Sequence, residues 1–342
     1  MDPVNTATGN FLESELDLGF TGASEQLRLT RMYNSLDDRV GVFGRGWASV
    51  LETGLAVDDE GATLTQADGR VLRFPRDGEG WHRAVGEYVR LTHEGDQLVV
   101  RDSDGGWWAF SPSGTWLAAG TGPGTTVRVE RSADGTVSRL ANERGRWIDV
   151  ESLDGRIVVA RGSDGRRVEY QYDDAGQLTH VHAPTGTRTY EWDDDGLVVA
   201  VVDEHGVVEA RNTYDDRRRV VEQVTPHGRT VRFAYLPGRV TVVSDPDGSR
   251  SNTWIADAKG RLVGGRGHRR RPPVDALRRT RSPGLGHGPR RLGHRPRHRR
   301  PRPPDPDGHA VGCGHHLRVR RPGPRDHRRH RDRVRRDLRV HR

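Results

Sequence analysis

Val168-Glu169-Tyr170-Gln171-Tyr172-Asp173-Asp174-Ala175-Gly176-Gln177-Leu178 decides how this chain reads, because the same phrase returns at a fixed interval. It comes back as Tyr190-Glu191-Trp192-Asp193-Asp194-Asp195-Gly196-Leu197-Val198, then as Tyr214-Asp215-Asp216-Arg217-Arg218-Arg219-Val220 and Tyr235-Leu236-Pro237-Gly238-Arg239-Val240. A last copy, Ala256-Asp257-Ala258-Lys259-Gly260-Arg261-Leu262, has lost its aromatic. The aromatic slot falls at 172, 192, 214, 235 and 256, in steps of 20, 22, 21 and 21 residues. A second glycine keeps the same time half a unit later, at Gly165, Gly186, Gly206, Gly228 and Gly248. A period of this length marks a repeat architecture and outranks other local signals.

A unit of ~21 residues holds two strands of about six and two turns of about four, so each unit reads as one β-hairpin plus the turn to the next. Alternation assigns the faces: Val168, Tyr170 and Tyr172 share one side, Arg167, Glu169 and Gln171 the other. Glycine four residues after the aromatic suits a type I turn closed by a left-handed residue, with Arg218 standing in the one slot that lacks it. A lone hairpin is marginal in water, so the units are expected to lie edge to edge in a continuous twisted sheet, each covering its neighbour's open ladder. The predicted fold is all-β, with successive hairpin repeats forming a spiral, shell-like sheet.

Upstream, Leu27-Arg28-Leu29-Thr30-Arg31-Met32-Tyr33 alternates as a half-buried strand. Phe43-Gly44-Arg45-Gly46-Trp47 sets two glycines between two aromatics, as a tight backbone crossing that the rings can cover. Short strand candidates cut by Asp-Gly turns follow, and no stretch keeps helical spacing for long before Gly or Pro ends it. The expected organisation is an N-terminal β domain over 1–75, a transitional strand segment over 76–125, hairpin repeats over 126–263 and a tail over 264–342.

The bulk charge of +8 misleads. Residues 1–263 carry 30 Lys+Arg against 42 Asp+Glu, a net of −12, whereas 264–342 carries 26 Arg against 6 Asp, a net of +20. Every Trp, Tyr, Phe, Ile, Asn, Gln, Glu and Lys precedes residue 264. The tail reads as out-of-frame translation of a GC-rich gene and is expected to be disordered, since the repeat stops in mid-phase after Val263. The competing reading is a basic arm for nucleic acid, as blocks of like charge attract polyanions. Cys313 is the only cysteine, which rules out an intrachain disulfide. No run approaches the ~18 apolar residues of a membrane span, and the N-terminus shows no signal segment.

Candidate chemistry is sparse. Asp173-Asp174, Asp193-Asp194-Asp195 and Asp215-Asp216 could pass for paired carboxylates or a calcium ladder, but they recur at repeat turns, where Asp bonds its own backbone. His180 and His182 share a strand face, yet no third ligand accompanies them, and Cys313 with His315-His316 lacks paired zinc-ligand spacing. No nucleophile elbow, phosphate-binding glycine loop or zinc-protease helix occurs. The expectation is no catalytic residue, no metal and no cofactor.

The Tyr-Asp-x-x-Gly-x-Leu beat, carried by Tyr172, Gly176, Trp192, Gly196, Tyr214, Tyr235, Gly238 and Gly260, resembles the YD repeat of RHS proteins. The opening Asp2-Pro3-Val4-Asn5-Thr6-Ala7-Thr8-Gly9-Asn10-Phe11 is similar to the domain that precedes those repeats in bacterial RHS proteins. So are Leu29 to Ser35, with Tyr33 and Asn34, and Phe43 to Trp47, with Gly44, Gly46 and Trp47. The resemblance implies the N-terminal part of a polymorphic toxin: a hollow β-shell enclosing a C-terminal toxin, non-enzymatic itself, secreted or at the cell surface. The implied partners are the rest of the shell and the toxin, with a secretion apparatus and a cognate immunity protein. Two alternatives stay open, a glycan- or envelope-binding surface built on the periodic aromatics and a nucleic-acid binder acting through the tail. The last hairpin has an open edge, so a 1–263 piece is expected to be poorly soluble.

Overall fold

The computed structural model describes residues 3–22, 27–122, 126–258 and 260–266; of the tail expected to be disordered from 264, residues 264–266 instead complete a strand paired with Thr253–Ile255, and 267–342, with Cys313, His315 and His316, lie outside the described residues, as does Asp2. Eighteen antiparallel strands, from Arg90–Glu94 to Leu262–Arg266, pair strictly in chain order to make one sheet. No α-helix occurs among the described residues. Strand lengths of five to seven residues and turns most often of five give the hairpin period its physical cause.

The aromatic slot sits at a β-bulge in four of its five copies, Tyr235 pairing with Thr241 in unbroken register. Tyr172 pairs with Leu178, Trp192 with Val198, Tyr214 with Val220 and Ala256 with Leu262, each just beyond a register shift. The turns close as their residues dictate. Gly176 N–H donates to the Asp173 carbonyl at 2.9 Å with φ +77°, and Arg218 fills its glycine-less slot at φ +61°. The half-unit glycines Gly165, Gly206, Gly228 and Gly248 are left-handed in the same way. Gly186 differs. There the hairpin is tighter, with Ala183 paired directly to Gly186, whose φ of +141° brings its Cα against the Glu204 backbone and side chain.

Three smaller sheets precede the meander. Leu12–Gly19, Arg28–Asn34 and Trp47–Ser49 form one, and Val40–Gly41 with Gly44–Arg45 a two-stranded ribbon. Gly54–Asp58, Gly61–Thr65, Val71–Asp77 and Gly80–Trp81 form a four-stranded sheet. The N-terminal sheets and the meander share one apolar core that runs from Val4 and Phe11 to Val220 and Phe233. The meander curls around the three-stranded sheet. Tyr170 and Tyr190 pack against the face that carries Arg31, while Trp108, Trp116 and Leu140 face Leu16 and Met32 across a cavity of about 340 Å³.

Candidate functional site: the docking seam

The two motif sets quoted separately from the sequence meet in space. Phe43 lies 4.9 Å from the Tyr170 ring, Trp47 5.1 Å from Tyr190 and Tyr33 5.7 Å from Trp192, the last two edge-on. Such pairs contribute ~0.5–1.5 kcal/mol each beyond the area they bury. The tight crossing expected at Phe43-Gly44-Arg45-Gly46-Trp47 is made against the meander, where Phe43 meets Tyr170 and Trp47 meets Tyr190. A Cβ on Gly44 (φ +96°) would stand 2.8 Å from the Gly176 carbonyl oxygen, and one on Gly9 2.8 Å from the Tyr235 hydroxyl. Gly46 (φ +74°) lies against the Tyr33 ring, Asn34 N–H donates to the Gly46 carbonyl, and Pro3 accepts from Leu12 N–H. Thr8 Oγ1 accepts from Asn10 N–H at 3.4 Å within the same turn, whose Gly9 N–H donates to Asn5.

A bulge frees a backbone group, and the N-terminal module takes it up. Ile157 N–H donates to the Val42 carbonyl, Val198 N–H to the Tyr33 hydroxyl and Val220 N–H to the Gly9 carbonyl, at 2.9, 3.1 and 2.9 Å. Further on, Thr241 donates to the Thr6 carbonyl at 2.5 Å. The module therefore meets successive hairpins in reverse chain order. The carbonyls of the same three residues, and that of Leu178, serve the next unit. Tyr172 donates to Ile157, Trp192 Nε1 to Leu178, Tyr214 to Val198 and Tyr235 to Val220, at 2.7, 2.8, 2.8 and 2.5 Å. The periodic aromatic is thus a clasp between hairpins, with its ring half-buried against the core and its polar tip on the preceding return strand. Tyr214→Phe is expected to cost about 1–2 kcal/mol, one hydrogen bond plus an unsatisfied carbonyl, as a lower urea midpoint with an unchanged slope.

The turn aspartates do backbone work. Asp173, Asp193, Asp203 and Asp215 each accept, through Oδ1, from the N–H four residues on, at 2.8–2.9 Å. His180 and His182 stack with ring centroids 6.0 Å apart, and His182 Nδ1 lies 2.8 Å from Thr187 Oγ1. Among the described residues no group of three or more His, Cys, Asp or Glu is placed to hold a metal. Gly196, Gly238 and Gly260 are left-handed turn residues, at φ +74°, +81° and +72°.

The seam's charged centre escaped the sequence reading. Arg31, 1% exposed, gives two Nε hydrogen bonds to Asp17 and stacks 4.5 Å above the Trp47 ring. Burial works against its charge, yet Asp17, Tyr190 and Glu15 beside it hold its pKa well above the usual value. Arg188 pairs with Glu13 at 3.3 Å and Glu204 at 3.6 Å, and also with Glu15 and Glu209. Tyr170 donates to Asp17 at 2.9 Å and Tyr190 to Glu15 at 3.2 Å. Burial, then the neighbouring Glu15 charge, pushes the Glu13 carboxyl up to about 7, and burial raises Glu15 as well. The signal was present in the period-two rows Glu13-Glu15-Asp17 and Leu29-Arg31-Tyr33, which place all these charges on inward faces.

The profile of a domain of unknown function, DUF6531, matches residues 1–74, and that of the RHS Repeat matches residues 153–188 and 172–208. The chain is 36% identical over 102 residues to the tRNA nuclease WapA of Bacillus subtilis (strain 168), covering 30% of this chain and 4% of that protein. It is 29% identical over 282 residues to the double-stranded DNA deaminase toxin A of Burkholderia cenocepacia (strain H111), covering 75% of this chain and 20% of the other. A solved structure of the Photorhabdus luminescens Tc holotoxin pore aligns with a TM-score of 0.36 at 12% identity, over 62% of this chain and 15% of that one. The chain spans a fifth or less of the length of these two curated relatives.

Proposed function

Because the chain belongs to the RHS-repeat family, we propose that it is a wall section of a toxin-enclosing β-shell, containing its cargo by exclusion and doing no chemistry itself. The observation that carries this reading is where the repeat residues spend their functional groups. Tyr172, Trp192, Tyr214 and Tyr235 all close the wall on itself, and the aspartates between them close its turns. A sheet so consumed in its own construction serves as a barrier. The enclosed partner is a toxin segment C-terminal to the wall, and the assembled protein acts at the cell surface or outside the cell. Among the described residues no helix is long and apolar enough to cross a membrane.

The test is limited proteolysis of a product in which a toxin segment follows this wall. That segment should resist trypsin until mild denaturant opens the sheet. Digestion at the rate of the free segment would sink the reading. Glycan recognition draws less support, because Trp192 turns its indole N–H to Leu178 and its ring to Tyr33. Nucleic-acid binding by the tail rests on residues outside the described ones.

A further inference from the structure

We infer that the docking seam is a pH-sensitive latch, in which the Glu13–Glu15 pair takes up a proton to hold the N-terminal module tightly against the repeat sheet and gives it up to loosen that contact. The inference concerns the module's attachment, whatever the wall encloses. Its basis is a charge imbalance between two elements that must separate if the seam opens. The strand Leu12–Gly19 brings Glu13, Glu15 and Asp17, and the meander brings Glu204 and Glu209 from the turn and strand beside Arg188. Against these five carboxylates stand Arg31, from the strand Arg28–Asn34, and Arg188, from Gly186–Trp192. Tyr170 and Tyr190 complete the ring of polar groups as hydrogen-bond donors to Asp17 and Glu15, and burial raises the pKa of both phenols, which keeps them neutral. Asp203 lies further out in the same turn as Glu204 and is held low by its bonds to the Val207 and His205 amides.

Asp17 takes the Arg31 ion pair, Glu15 lies between Arg31 and Arg188, and Glu13, Glu204 and Glu209 pair with Arg188. Fully ionised, the seam holds five negative charges against two guanidiniums, and like charges so crowded cannot all stay ionised at low cost. Glu13 and Glu15 are neighbours on one strand face, and a proton shared between them turns repulsion into a hydrogen bond. Across the seam a charge on Glu13 is drawn to Arg188 and repelled by Glu209, but its burial and the Glu15 charge beside it cost more, and separating the two elements relieves that burial.

The sign follows from linkage. The folded-state pKa of Glu13 is raised by burial to about 7 from the ordinary 4.5 it regains when the seam opens. Its contribution is therefore fully present below pH 4.5 and is lost as pH rises through about 7. The latch is tight in mild acid and slack at alkaline pH. One proton with that pair of pKa values changes the opening equilibrium by about tenfold between pH 6 and pH 8.

The backbone supplies a local readout. The N–H groups of Ile157, Val198 and Val220 are bonded to Val42, Tyr33 and Gly9 of the N-terminal module, so their exchange reports the seam directly. Hydrogen exchange on the full chain, corrected for intrinsic rates, should show these amides about tenfold less protected at pH 8 than at pH 6. Glu13→Gln, which carries the neutral form at every pH, should abolish that difference and match wild type at pH 6. Equal protection at both pH values, greater protection at pH 8, or an unchanged response in Glu13→Gln overturns the latch. If Glu13→Gln does not fold, carboxyl-carbon NMR titration of the wild-type chain decides. A Glu13 midpoint near 7 supports the latch, and one near 4.5 removes it.

Discussion

Arg31→Ala should unfold the N-terminal module from the repeat sheet at the cost of about 3–5 kcal/mol, the penalty for removing one partner of a buried ion pair. Its side chain is 1% exposed and that of Asp17 5%, so once the guanidinium is gone the carboxylate stays buried beside Glu15, with the Tyr170 hydroxyl as its remaining side-chain donor among the described residues. The faces of Trp47 and Tyr190, which the guanidinium covers at 4.5 and 5.2 Å, also lose a cation. Most of this cost is the orphaned charge and not the pair's net worth. The double variant Arg31→Met with Asp17→Asn should therefore recover a good part of it. Urea unfolding followed by tryptophan fluorescence measures both. An Arg31→Ala protein within about 1 kcal/mol of wild type would contradict this account of the seam.

Gly44→Ala is the second large effect, expected at about 3 kcal/mol. Part is backbone strain, ~1–2 kcal/mol for an L-residue at left-handed φ, and the rest is overpacking of the new Cβ against the next element. Gly44 sits at φ +96°, with the Gly176 carbonyl oxygen 2.8 Å from where that carbon would go. Backbone cannot swing aside as a flexible side chain does, so the N-terminal ribbon must lift off the repeat turn. Gly135→Ala provides the matched control: its φ is +85°, and a Cβ there meets nothing within 4 Å. The difference between the two urea midpoints isolates the docking contact from the cost of the φ angle. If Gly44→Ala costs no more than Gly135→Ala, the close approach has no energetic weight.

These two sites show where the sequence speaks and where it falls silent. The bulge at Tyr172, the left-handed slot that Arg218 fills and the aspartates that close each turn are local events, decided within a few residues, so a period of ~21 carries them. Arg31 shows the opposite case. Its place in the inward row Leu29-Arg31-Tyr33 is legible from alternation, but its identity as a charge suggests solvent unless its partners are known. Those partners, Asp17 and the rings of Trp47 and Tyr190, come from three separate strands. Gly186 is an instructive exception within the period itself. It keeps the beat in sequence yet sits in a shorter hairpin, because Ala183 pairs with it directly.

The amino-acid sequence alone determined the all-β class, the hairpin unit and the role of each turn, since hydrogen bonds between near neighbours settle those. It also carried both halves of the family signature, as motif sets whose order along the chain was given but whose contact was not. Only the tertiary structure decided that the halves dock. Tyr33 meets Trp192, Gly44 meets Gly176 and Gly9 meets Val220 across separations of more than 130 residues, and no local preference encodes which bulge N–H will be taken up by which loop. It likewise decided the ionic centre of the seam, because the pKa of Glu13 depends on charges that the curl of the sheet brings around it.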